Sequence, residues 1–352
     1  MADTTSVIAA EARVRTGAAR VLLSRDGILY AVLIVFLLIA VLFLPRFGST
    51  ITVGYLLLDA IPVLLLALPM TLIIITGEID LSVASIVGMT ASIIGTLTMN
   101  GTEFGVAALV GLLGGVLAGV LNGILIAFVG LPSLAVTIGT LALYRGLALV
   151  FIGDNAIGDF PKDLAAFTTS KLGGTGIPTV MIGVLIIIAA FVVVLHFTPF
   201  GRGLYALGYS KEAATFVGIR VNRAKFWLYV ASGLVCGIVG IYWVLRYSSA
   251  RSDSAVGLEL TVIAAVLLGG VSIFGGRGTI AGALGGVLLI ASINYALRLQ
   301  RIPDVILITI TGTLLIVSVV GPSVFASARQ WLHVRRVRRT LPHANSAGTG
   351  SA

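Results

Sequence analysis

The chain has 352 residues, of which 58% are hydrophobic and 11% charged, and its mean hydropathy is +1.11. These values exclude a soluble domain and fit a polytopic helical membrane protein. The formal net charge of +9 does not mark a nucleic-acid binder, because the cations collect at the N-terminus, in one central loop and in the C-terminal tail. Cys236 is the single cysteine, which excludes an intrachain disulfide, and His196, His333 and His343 are too scattered for a metal site.

In chain order, residues 1–26 are polar and contain Arg13, Arg15, Arg20 and Arg25. They precede a full-length apolar run and read as a cytoplasmic tail before an uncleaved first span. Ten apolar runs follow that count as spans: 27–44, 53–76, 82–99, 104–128, 133–152, 179–197, 226–246, 258–273, 279–297 and 303–320. Pro62 and Pro69 predict a kink in the second. Residues 321–352 read as a basic cytoplasmic tail, and their low complexity from His343 onward predicts disorder there. With the N-terminus inside, the inner segments carry fifteen Lys and Arg and the outer loops seven, which supports an N-in/C-in arrangement. The expected fold is an all-α polytopic membrane protein whose transmembrane domain covers 27–320.

The longest polar interruption, 199–225, holds Arg202, Lys211, Arg220, Arg223 and Lys225 against Glu212 alone. Ser210 to Val217 predicts a short helix, capped by Ser210 and ended by Gly218. Such a helix on a cytoplasmic connector is a part a soluble partner could grip; the plainer reading is a solvated link.

The two halves echo each other. Ile79-Asp80-Leu81-Ser82-Val83 matches Leu258-Glu259-Leu260-Thr261-Val262; Gly114-Gly115-Val116-Leu117 matches Gly285-Gly286-Val287-Leu288; and Leu131-Pro132 matches Ile302-Pro303. Spans three to five thus pair with spans eight to ten. Odd-to-even pairing means inverted repeats, an arrangement frequent in transporters.

Six residues are candidates for a pathway or gate: Glu78, Asp80, Asn122, Arg145, Glu259 and Asn294. Asp80 before Ser82, and Glu259 before Thr261, fit helix N-caps. Glu78 is not needed for the cap and suits a salt bridge or the pathway. Arg145 is read as the one titratable residue well inside a span, and a carboxylate near a span end is its expected partner. Asn122 and Asn294 lie in matching helices and either line a polar path or bridge helices. Gly111, Gly115, Gly119 and Gly123, with Gly282 and Gly286, form small-residue faces for close helix packing. The glycine-rich run 269–278 lacks the Lys-Ser/Thr of a phosphate loop and no strand precedes it, so it reads as a tight cytoplasmic turn. The chain carries neither Walker motifs nor a nucleophile–base pair, and no enzyme activity or bound cofactor is expected of it.

Four ordered stretches carry a family likeness: ITGEIDLSVASIVG, GLPSLAVTIGTLALYRGLALVF, GRGLYALGYSKEAATFVGIRV and ELTVIAAVLLGGVSIFGGRGTIAGALGGVL. They resemble the ribose/xylose/rhamnose/autoinducer-2 branch of ABC-importer permeases. The resemblance covers about 27–320, although the Ile-x-Leu-Pro that often follows the EAA-x-x-x-G motif is missing. It implies that Glu212, Ala213, Ala214 and Gly218 form the coupling helix that docks on a tandem-domain ABC ATPase, which binds ATP and Mg. It further implies a second permease, identical or paralogous, and an extracytoplasmic sugar-binding protein, all at a bacterial plasma (inner) membrane and surrounded by lipid. A likeness to rhamnose-type members points toward a deoxyhexose. The alternative is an ion-coupled secondary transporter of a small polar solute.

Overall fold

The computed structural model describes residues 24–303, 305–318 and 320. The tail 321–352, and all but the last three residues of the tail 1–26, lie outside them. Helix α1 (Arg25–Phe43) starts inside the expected tail because its first turn is fastened to the other half of the chain. Arg25 Nη1 donates to Gly270 O (3.1 Å), and Thr279 Oγ1 donates to Asp26 Oδ2 (2.7 Å). Beyond that turn, most of its apolar side chains face outward, as Ile34, Leu38 and Leu42 do.

Helix α2 (Thr50–Ile75) runs unbroken through Pro62 and Pro69. It is apolar on all sides and almost wholly buried, the pattern of a helix enclosed by others. There follow α3 (Val83–Met99), α4 (Phe104–Ala127), α5 (Ser133–Ile152), the short helix α6 (Lys162–Thr169) and α7 (Met181–Val192), the last of which packs on α2. A π turn, Val193–Phe197, continues α7 into a 67° bend, after which α8 (Pro199–Tyr209) and α9 (Lys211–Phe216) lead to the long α10 (Val221–Tyr247). Helices α11 (Leu258–Leu268), α12 (Ile280–Leu299) and α13 (Val305–Ser318) complete the described chain. No strand forms among the described residues; Ile157–Ala250 and Lys171–Pro178 are isolated bridges.

The glycine faces set the tightest crossings. A Cβ on Gly115 would stand 2.8 Å from Gly233 O, one on Gly119 would collide with Tyr229 O, and one on Gly123 would lie 3.0 Å from Phe226 Cδ2. Helices α4 and α10 therefore meet backbone to backbone, while Leu109, Leu113 and Leu117 turn outward on the opposite side of α4. Gly111 faces α3 instead, where a Cβ would stand 2.6 Å from Ile94 Cγ1. On the other side of the molecule, Gly286 lies against Ala265 O and Gly282 against Gly269 O, which seats α12 on α11.

Helix length departs from the expected ten spans. Among the described residues six helices are long and apolar enough to cross a membrane, and a seventh arises if the bent pair Met181–Phe197 and Pro199–Tyr209 is one span. The run 258–273 is helical only to Leu268, so α11 covers about 16 Å, half a bilayer core. It stops there because Gly269 lies on the α12 backbone and Gly270 takes φ +91°, a left-handed turn that suits glycine. Residues 269–279 then cross to the ends of α2 and α8. Gly276 N donates to Ile75 O (2.8 Å) and the Tyr205 hydroxyl to Gly278 O (2.8 Å). The expected tight turn is thus a strap that joins three helix ends.

Candidate functional site

Two ends of the molecule and a buried hub between them carry the polar chemistry. The first end is the 199–225 segment. Thr198 caps α8 by accepting from Gly201 N, with Pro199 in the first turn, where its missing N–H costs nothing. Ser210 caps α9: its Oγ accepts from Ala213 N (3.1 Å) and donates to Glu212 Oε2 (3.0 Å). Hydrogen bonds from the backbone N–H of Glu212 and from Ser210 hold the Glu212 carboxyl below the usual carboxylate range. The far end closes as a Schellman motif, with Ile219 N donating to Ala214 O and Gly218 N to Thr215 O (both 3.0 Å). Gly218 supplies the required positive φ of +84°. Ala214 is buried with Leu207, Val221 and Ile219, which fixes α9 on its neighbours. The outer side of this helix is left bare: Phe216 is 91% exposed and Val217 74%. On the adjoining strap, Phe274 is 82% exposed.

The hub is the break between α2 and α3. Gly77 (φ +80°) turns the chain out of α2, and residues 78–82 form a link without regular secondary structure. One face of α10 clasps them. Lys225 pairs with Glu78, the Tyr229 hydroxyl donates to Ile79 O (3.3 Å), and Ser232 Oγ donates to Asp80 Oδ2 (2.9 Å). These three sit at i, i+4 and i+7, one stripe of a helix. Asp80 does not cap α3 directly. Its Oδ1 accepts from the backbone N and the hydroxyl of Ser82, fixing the turn that precedes the helix. Asn122 Nδ2 donates to Ser82 Oγ (2.8 Å), and the Tyr144 hydroxyl lies 3.2 Å from Asn122 Oδ1. Asp80 and Asn122 are fully enclosed and satisfied, so they bridge helices in this conformation.

Arg145 does not pair with a carboxylate among the described residues. Its Nη1 donates to Ser252 O (2.7 Å) and Ser254 O (2.8 Å), and Nη2 reaches Ala84 O (3.5 Å). Gly88 makes the room, since a Cβ there would stand 2.6 Å from Nη1. Arg145 thus pins the loop 248–257 over α3. In that loop the guanidinium of Arg251 holds the Asp253 carboxyl below its usual range. Glu259 lies partly buried in the first turn of α11, which begins after Gly257 (φ +82°) without a side-chain cap. Asp80 precedes α3 by three residues, whereas Glu259 is inside α11, so these matched stretches adopt different local structures.

Asn294 belongs to the second end. With Asp59, Trp243, Tyr247 and Thr261 it lines a cavity of about 200 Å³ between α2, α10, α11 and α12. Asp59 corrects the expectation that Arg145 alone is titratable within a span. It lies nine residues into α2, between guanidinium groups of Arg246 (3.3 Å) and Arg298 (3.4 Å). The signal was a lone acid inside an apolar run of α2, with arginines near the ends of the expected seventh and ninth spans.

A protein family described as branched-chain amino acid transport system / permease component matches residues 52–321. The autoinducer 2 import system permease protein LsrD of Escherichia coli K12 is 34% identical over 293 residues, 81% of this chain and 88% of that protein. The proteins of the same name from Shigella flexneri and Escherichia coli O157:H7 match to the same extent. No solved structure matches the chain. The resemblance read from the four motifs therefore holds, and the chain is a transport subunit rather than an enzyme, a multi-pass protein of the bacterial inner membrane. A match over most of the described helices, together with these relatives, places it in its family: the chain belongs to the permease components of the branched-chain amino acid transport type.

Proposed function

We propose that the chain is the membrane permease subunit of a binding-protein-dependent ABC importer that moves a sugar-like solute inward by alternating access. The observation that carries this reading is the kinship over four-fifths of the chain with permeases of autoinducer 2 import systems. The capped helix α9 supports it, because Ser210 and Gly218 hold a short helix rigid while Phe216 and Val217 stay bare for a partner. In this reading α9, with Glu212, Ala213, Ala214 and Gly218, docks on a tandem-domain ATPase that binds ATP and Mg. A second permease, identical or paralogous, completes the pathway, and an extracytoplasmic binding protein delivers the solute.

The finer features belong to the same proposal: both termini inside, half-length helices such as α11 contributing to the ten-segment plan, and inverted repeats across spans three to five and eight to ten. Glu78, Asp80, Asn122, Arg145, Glu259 and Asn294 are its pathway or gating residues, and a rhamnose-type deoxyhexose or autoinducer 2 its first substrates to try. The ion-coupled alternative is not favoured, because the relatives are permeases of an import system. Co-purification with the cognate ATPase tests the docking. Wild type retains the ATPase, and Glu212→Arg with Phe216→Ala loses it while remaining folded in the membrane. Equal retention by the variant would refute α9 as the docking element.

A further inference from the structure

The cavity beside Asp59 lies at the end of the molecule remote from α9. Asp59 is about 24 Å along α2 from Ile75, whose carbonyl holds the strap, and Arg246 is near the far end of the 27-residue α10 that begins beside α9. Part of its wall is aromatic, from Trp243, Tyr247 and Tyr295, and most of the rest is aliphatic. The Trp243 and Tyr247 rings stand 4.7 Å apart and tilted, and Arg246 lies over Tyr55 and Tyr247 at 5.7 and 5.3 Å. The Tyr242 hydroxyl donates to Leu58 O (2.8 Å), which fixes α10 to α2 one residue from the carboxylate.

The polar groups have one property in common. The Asp59 carboxylate offers about four acceptor positions, and its two guanidinium contacts are long, at 3.3 and 3.4 Å. Asn294 brings both an acceptor and donors, Thr261 a hydroxyl, and Arg298 donors. A fully ionised anion supplies acceptors, which suit the guanidinium groups but leave the open Asp59 positions facing a like charge. A cation supplies donors only and would face two arginines. Hydroxyl groups use both kinds of partner and carry no charge. At about 200 Å³ the space is below the roughly 300–1,000 Å³ of pockets for drug-sized ligands, which suits a compact solute.

We infer that this cavity is a binding subsite for a small neutral polyol, with Asp59 and Asn294 hydrogen-bonding its hydroxyls and Trp243 and Tyr247 covering its C–H face. This deepens the importer reading by naming solute contacts on the permease, and rests on that reading for its role in transport. The subsite itself is testable without the ATPase. Ala291 also lines the cavity, and the native Cys236 is buried. The full-length chain carrying Cys236→Ala and Ala291→Cys is reconstituted in nanodiscs and its labelling by a hydrophilic maleimide is timed. D-ribose, L-rhamnose and sodium phosphate are added separately. The expected result is that at least one sugar slows labelling, by about tenfold at ten times its dissociation constant, and that phosphate does not. Adding Asp59→Asn raises the sugar concentration for half-protection by about tenfold or more, since hydrogen bonds to a charged group are the stronger ones. Asn294→Ala, which leaves the ion pairs intact, shifts it in the same direction and decides the matter should the Asp59 variant not fold.

Three results overturn the inference: no protection by either sugar, protection by phosphate instead, or unchanged protection in the Asn294 variant. Uptake that proves independent of ATP, with protection intact, overturns the importer reading and leaves the subsite standing.

Discussion

Asp80 divides its two oxygens between the turn that starts α3 and Ser232 on α10. Ser232→Ala therefore removes a hydrogen bond to a carboxylate that stays buried, at a cost of about 1.5–3 kcal/mol. The midpoint of thermal unfolding of the purified protein should fall accordingly; an unchanged midpoint would deny Asp80 its bridging role. Glycines give a sharper contrast. At Gly119 an added side chain meets the α10 backbone, which cannot rotate away, so Gly119→Leu should cost about 3 kcal/mol or more. Gly139 has open space around its Cβ position, and Gly139→Ala should be neutral or stabilise α5 by about 0.5–1 kcal/mol. Size-exclusion profiles of the two variants after heating separate them, and similar profiles would mean that the α4–α10 crossing tolerates a side chain.

Among the elements, α9 is held by signals that stand in the sequence itself. Ser210, Ala214 and Gly218 have the spacing of a cap, a buried anchor and a left-handed terminator, and each occupies that place. Gly218→Val forces a β-branched residue to φ +84° and should unwind the end of α9. Binding of the ATPase would weaken while the membrane helices keep their unfolding temperature; full ATPase binding would show that the terminator is dispensable. The second helix of the same segment, α8, was equally marked by Thr198-Pro199 but was hidden in what read as a loop. The early end of α11 was not legible, because Val271 and Ile273 continue the apolar run and the stop comes from the close approach of α12 to Gly269. Hydropathy records burial, and the buried start of the strap at Val271 is as apolar as a helix. The Arg145 contacts were hidden for a related reason: its partners are main-chain carbonyls, which every sequence contains.

At the scale of the whole molecule, α2 is the shared core, with α7, α10, α11 and α12 around it and α1 applied to the outside. The 199–225 segment and the strap lie at one end of α2, and the Asp59 cavity toward the other. The expected topology puts the first inside and the second outside. In a Cys236→Ala background, a cysteine at Thr215 should react with an impermeant thiol reagent only in inverted membrane vesicles, and one at Lys171 only in intact cells. The opposite pattern would invert the account. The central claim, that this permease couples solute import to a partner ATPase, is tested most directly by uptake of autoinducer 2 and L-rhamnose into proteoliposomes. These contain the chain with its cognate ATPase and binding protein, with ATP enclosed on the α9 side. The account predicts uptake of at least one solute that requires ATP and is abolished by Glu212→Arg with Phe216→Ala. Uptake that runs without ATP on an imposed ion gradient, and is indifferent to those substitutions, would contradict it.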